Sequence, residues 1–300
     1  MIDLMANKIL NHTGIPFTPI TIQTAVNNIK QVYEAAILNG NRGNIIRSSV
    51  LIKNIHNAVK TDLINANVHP SLINPCPDYL QRVISPNQRA YNRARVLKDK
   101  ELKIAGFLKT KTQDISVIPD NIPISPTTMN VNSGMNGYND IYGETFTESI
   151  LSINVRSQLS SVNKNFDTLY ERTFAESLNL HLRTPNMVLG EVYLIPVKEY
   201  VDGNVVGFST IDIGRYIETF QAINMRINRN DEKFKYERCC LLIVDFDRPV
   251  PKIYNTTNEL IQDGFLPVGS ACSMTNLDYT NFVSDIMQIY STRFPANILT

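Results

Sequence analysis

Apolar residues recur every three to four positions through the first quarter of the chain. In TIQTAVNNIKQVYEAAIL (21–38), Ile22, Val26, Ile29, Tyr33 and Ala36 share one stripe. GNIIRSSVLIKNIHNAVKTDLI (43–64) repeats the spacing with Ile45, Ile52, Ile55 and Val59, so both segments predict amphipathic helices. At Ser85-Pro86-Asn87-Gln88 a cap residue, a first-turn proline and a capping-box glutamine start a third helix, predicted to end near Gly106. Beyond Gly106 the period shifts towards two. DISVIP (114–119), SILSINVRSQ (149–158), MVLGEVYLIPV (187–197) and RCCLLIVDFD (238–247) read as strands. Helices are predicted between and after them, at about 165–181, 212–226 and 281–294. Residues 120–147, dense in Pro, Asn, Ser and Gly, read as a long loop.

Strands alternating with helices imply a mixed α/β (α+β) fold: a mixed sheet with flanking helices. The expected organisation is a helical, basic region over 1–106, then an α/β core over 107–300. With 43% hydrophobic residues in a chain of 300, a sizeable core can be buried, which excludes general disorder. No apolar run reaches the roughly 18–20 residues that span a bilayer, and the start, MIDLMANKILNHTG, lacks the pattern of a secretory leader. The expectation is a cytoplasmic protein with no membrane partner. Cys76, Cys239, Cys240 and Cys272 form no CxxC pair and read as core thiols. His12, His56, His69 and His181 show no ligand spacing, which argues against a zinc site or a Ser-His-Asp triad.

Charge is unevenly spread. Residues 1–112 hold 15 Lys and Arg against 6 acids, while 113–300 hold 14 against 22. Much of the excess lies in 82–111, where Arg89, Arg93 and Lys100 sit on the third predicted helix. A basic helix of this kind suits the backbone of double-stranded DNA. A solvated helical face on a dipolar protein is the plainer alternative.

Hydrolysis of a phosphodiester needs acids to hold a divalent ion and a cation to stabilise charge on the phosphate. Asp114 opens the first strand of the acidic part. On the strand 149–158, the period of two puts Glu148, Ser152, Asn154, Arg156 and Gln158 on one side, interrupted only by Ile150, with Leu151, Ile153 and Val155 on the other. KTKTQDISVIP followed by INVRSQLSSVNKNFDTLYERTFAE resembles the core of PD-(D/E)XK restriction endonucleases. In that family an acid on one strand precedes a strand bearing (D/E)-x-K, and some members move the second acid to the next helix. The likeness covers about 107–200.

The resemblance implies a restriction-endonuclease-like core and a type II restriction endonuclease activity: Mg²⁺-dependent cutting of double-stranded DNA at a short sequence. A homodimer is implied by the two-fold symmetry of the two cuts. Asn154 stands where the family has its second acid and Arg156 where it has lysine, so a carboxylate must come from elsewhere. Glu171 on the following helix is the first choice and Glu176 the second, with Glu144 and Glu148 also open. Asp114, Asn154 and Glu171 would then hold the metal, with Asp114, Arg156 and Glu171 catalytic. Gln158 and Lys164 would join Arg89, Arg93 and Lys100 in contacting DNA. Glu191, at the start of an apolar strand, and the Asp245–Asp247 pair are weaker candidates. Two other functions remain open: a DNA-binding protein without catalysis, and a phage or plasmid structural protein.

Overall fold

The computed structural model describes residues 20–75, 100–201 and 208–295. Helices α1 (Ile22–Leu38), α2 (Arg42–Arg47) and α3 (Val50–Asn65) come first. Thr21 caps α1 by accepting from the amide of Thr24. The predicted stripe is the face α1 buries, through Val26, Ile29, Tyr33 and Ala36. Next come β1 (Ile73–Asn74), the hairpin β2 (Leu102–Ala105) and β3 (Thr110–Gln113), and β4 (Ile115–Val117). The third helix predicted from the sequence therefore does not extend to 106, since 102–105 is a strand. Leu102 and Ile104 are buried on either side of exposed Lys103, a strand's period of two. Its earlier part, with Arg89 and Arg93, lies outside the described residues.

The segment 120–147 carries more structure than the loop that its composition predicts. It contains a short hairpin, β5 (Thr127–Thr128) with β6 (Asn139–Asp140), and enters α4 (Glu144–Glu148). Buried Asp140 pairs with buried Arg183, which also donates to the Ala105 carbonyl at 2.8 Å, so an ion pair ties the segment down.

There follow β7 (Leu151–Ser157), α5 (Phe166–His181), β8 (Val188–Pro196), β9 (Lys198–Tyr200) and β10 (Phe208–Thr210). The remaining elements are α6 (Ile213–Ala222), β11 (Arg238–Asp245), β12 (Lys252–Tyr254), α7 (Thr257–Gln262) and α8 (Phe282–Arg293). Six strands form one mixed sheet in the order β1-β4-β7-β8-β11-β12. The β7–β8 and β8–β11 pairs are parallel and the others antiparallel. The protein is thus a mixed α/β fold with a mixed sheet and flanking helices.

Each face of the sheet has its own apolar core. Leu151, Ile153, Val155, Val188 and Val192 pack with α1, α3 and α8; Leu189, Tyr193, Leu241 and Ile243 pack on the other face, with α5 and α6. β8, the central strand, is buried along its whole length, as parallel strands covered on both faces are. Cys239 and Cys240 are buried free thiols, one in each core. No helix among the described residues is long and apolar enough to cross a membrane.

Candidate functional site

Register across three neighbouring strands builds the site. Ile115 pairs with Ile153, and Asn154 with Glu191. Asp114 lies one residue before Ile115; its amide donates to Asn154 Oδ1 at 3.3 Å and its Oδ2 accepts from the Val155 amide at 2.8 Å. Asp114, Asn154 and Glu191 therefore form a row from the start of β4 across β7 to β8. Ile115, Ile153 and Val192 turn to the α1 side, so alternation sends the row to the opposite face, where α5 lies.

Two residues along β7, Arg156 crosses this row. Its Nη2 is paired with Glu176 Oε2, and its Nη1 lies 3.1 Å from Glu191 Oε1 and donates to Thr173 Oγ1 at 3.4 Å. Glu176 also accepts from Asn154 Nδ2 at 3.2 Å and pairs with Lys111 of β3 at 2.8 Å. Gln113 closes the network, accepting from Ser152 Oγ at 2.6 Å and from Asn154 Nδ2 at 3.3 Å. Neither Glu191 oxygen is in a hydrogen bond, although the side chain is fully buried.

Electrostatics follow from that burial. Desolvation pushes Asp114 up to about 6, partly offset by its Val155 hydrogen bond, with Glu101 raising it further and Arg156 opposing. Glu191 is pushed to about 8 by the same cause, Arg156 again opposing. For Arg156, burial works against the charge, but Glu191 and Glu176 outweigh it and hold the guanidinium protonated.

The helix-borne acid facing the sheet is Glu176. Leu169, Thr173, Glu176, Ser177 and Leu180 form the buried face of α5, at the three-to-four spacing of one helical stripe. Glu171 falls off that stripe and is exposed, on the rim of a hollow of about 470 Å³ that Lys109, Lys111, Arg156, Arg172 and Glu176 also line. A second hollow, of about 450 Å³, opens at the C-terminal end of β7 and shares Arg156 and Arg172 with the first. Gln158 lines it, but its Nε2 donates to the Ser160 carbonyl. Lys164 is exposed in the turn before α5, and Lys100 is exposed after the undescribed segment; neither lines these two hollows.

No family model, curated protein or solved structure matches this chain. The chemistry of the site therefore rests on its own residues. Among the described residues, no three His, Cys, Asp or Glu side chains are gathered as a ready metal-ligand group. What the row offers is oxygen: the carboxylates of Asp114 and Glu191 with the Asn154 amide between them. Glu191's oxygens accept no hydrogen bond, and only Oε1 is ion-paired, with Arg156 at 3.1 Å; carboxylate oxygens suit a hard divalent cation, and Mg²⁺ commonly takes only one or two carboxylates and keeps its remaining ligands as water or phosphate. The donor set fits such an ion, with Arg156 now serving as counter-charge to Glu191.

Glu191 carried a sequence signal, an acid within an apolar run, where an acid is costly without a partner. Glu176 had a weaker one, its place seven residues after Leu169. Lys111 and Gln113 had none, because only the β2–β3 hairpin brings them to α5 and β7. The Asp245–Asp247 pair is a closed strand end: Asp245 accepts from the Asp247 amide at 3.1 Å and from Arg248 Nε at 3.0 Å. Asp247 pairs with Lys198 at 2.6 Å.

Proposed function

We propose that this chain is a Mg²⁺-dependent endonuclease that hydrolyses phosphodiester bonds in double-stranded DNA. The reading includes a restriction-endonuclease-like core, sequence-specific cutting of the type II kind and action as a homodimer. The observation that carries it is the row Asp114–Asn154–Glu191, which sets two carboxylates across three strands, in contact with Arg156 and Glu176, which line a hollow together with Lys109, Lys111 and Arg172. Asp114 and Glu191 would hold the ion with Asn154 beside them, in place of the pair Asp114 and Glu171. The bound ion would supply Lewis-acid polarisation and an acidified water. Arg156 stays protonated, so its part is to stabilise charge on the phosphate, not to accept a proton. Lys111 shares Glu176 Oε2 with Arg156.

The test is plasmid nicking by the purified chain with Mg²⁺ or Mn²⁺, beside Asp114→Asn and Glu191→Gln. We expect the wild type to cut and both variants to lose on the order of 10² or more in rate while still binding DNA. A wild type that leaves many different DNAs intact, metal present, removes the enzyme reading. One observation favours a second reading, a DNA-binding protein without catalysis: Arg156 is held between Glu176 and Glu191. That reading predicts salt-sensitive DNA binding with no nicking under any divalent ion.

A further inference from the structure

The hollow at the C-terminal end of β7 has a composition of its own. It lies where β7 ends beside parallel β8, the side of an open α/β sheet on which ligands gather. Its volume of about 450 Å³ falls within the size of small-molecule sites. Its polar lining includes Arg156, Arg172, Gln158 and Asn165. Arg172 is exposed and has no hydrogen bond or ion pair among the described residues. Much of the remaining lining is apolar: Leu51 and Ile52 of α3 and Leu159, with Tyr193 beside Arg156 in the β7–β8 register. No Asp or Glu is among the residues lining it, whereas the neighbouring hollow has two.

A ligand matching this lining carries an anionic group and a flat apolar body. We infer that the hollow is a nucleotide pocket, taking one nucleotide of a DNA strand with its phosphate on Arg172 and Arg156. The base lies against Leu51, Ile52 and Leu159. The choice of a DNA unit rests on the function proposed above; the shape and charge of the pocket do not. Because Arg156 belongs to both hollows, a nucleotide held here sets its adjoining phosphate beside the Asp114–Glu191 row. Taking a base out of the stack costs a few kcal/mol, and the apolar wall offsets it.

The test is calorimetric titration of the full chain, with chelator and no divalent ion, using 5′-dAMP, 5′-dCMP, the matching nucleosides and inorganic phosphate. The mononucleotides are expected to bind at least tenfold more tightly than either part alone. Arg172→Ala, which removes a charge-assisted bond, should weaken them about tenfold or more. Thr168→Trp, at an exposed position on the pocket's edge, should block them. Both variants lie on the solvent side of α5, and an unchanged urea midpoint confirms that they fold. Phosphate binding as tightly as a mononucleotide, no binding at millimolar concentration, or variants that bind like the wild type would each overturn the pocket. Plasmid nicking with Mg²⁺ is scored separately. Nicking without nucleotide binding removes the pocket and spares the nuclease, and nucleotide binding without nicking does the reverse.

Discussion

Glu237 anchors the strand that carries Glu191, and its removal gives a measurable stability prediction. The side chain is fully buried; its Oε1 accepts from Arg226 Nη1 and Arg293 Nη1, each at 2.7 Å. Its Oε2 accepts from the Leu189 amide at 2.8 Å and lies 3.4 Å from His181 Nε2. Burial pushes this carboxyl up, but His181, Arg293 and Arg226 outweigh it and hold it at about 2, below the ordinary 4.5. At about 1.4 kcal/mol per pH unit, that gap is worth about 3 kcal/mol. Because the folded value is depressed, the stabilisation is fully present above about pH 4.5. It is lost as pH falls through about 2.

Glu237→Gln strands two arginines without a counter-charge, a change that costs about 3–5 kcal/mol in a buried pair. Urea unfolding of wild type and variant should therefore differ by that amount at pH 7. The gap should narrow by about 1.4 kcal/mol for each pH unit below 4.5, since only the wild type has this carboxylate to protonate. A variant within about 1 kcal/mol of the wild type at pH 7, or a gap that stays constant between pH 6 and pH 3, would refute the assignment of this cluster as a stabilising one.

Three further outcomes follow from particular side chains. Asn179 Oδ1 accepts from the Leu108 and Lys109 amides at 2.7 and 3.1 Å, and its Nδ2 donates to the Lys109 carbonyl at 3.0 Å. Asn179→Ala should cost about 1–3 kcal/mol and speed hydrogen exchange at 107–113; unchanged exchange there would show that the side chain does not hold the turn. Gly190→Val should destabilise by about 1–3 kcal/mol in urea unfolding, because a Cβ there would meet Ile286 Cδ1 at 2.7 Å and Phe282 Cζ at 3.0 Å. Lys109→Ala with Lys111→Ala should flatten the salt dependence of DNA binding by about 0.9 in log–log slope for each phosphate that these lysines neutralise. An unaltered slope places the DNA elsewhere.

The sequence was informative wherever one element's own periodicity decides the outcome. The stripe at 21–38 became the buried face of α1, whereas 43–64 split into α2 and α3, which bury Ile55 and Val59 fully and Ile45 and Ile52 only in part; the alternation in SILSINVRSQ put Asn154 and Arg156 on the face opposite Leu151 and Ile153. It misled where local composition competes with pairing. ELKIA continues a Lys-rich helical pattern, yet it forms β2, because Gly106 closes a hairpin against Asn179 so tightly that a Cβ would lie 2.2 Å from Nδ2.

What the chain alone determined is the class of fold, the strand holding Asn154 and Arg156, and Asp114 as the acid ahead of it. Only the tertiary structure chose Glu176 over Glu171 and set Glu191 in register with Asn154. Periodicity fixes which way a side chain points from its own element. Which carboxylate meets which arginine depends on strand order and on the rotation of α5 over the sheet, and those are set by packing between segments far apart in the chain.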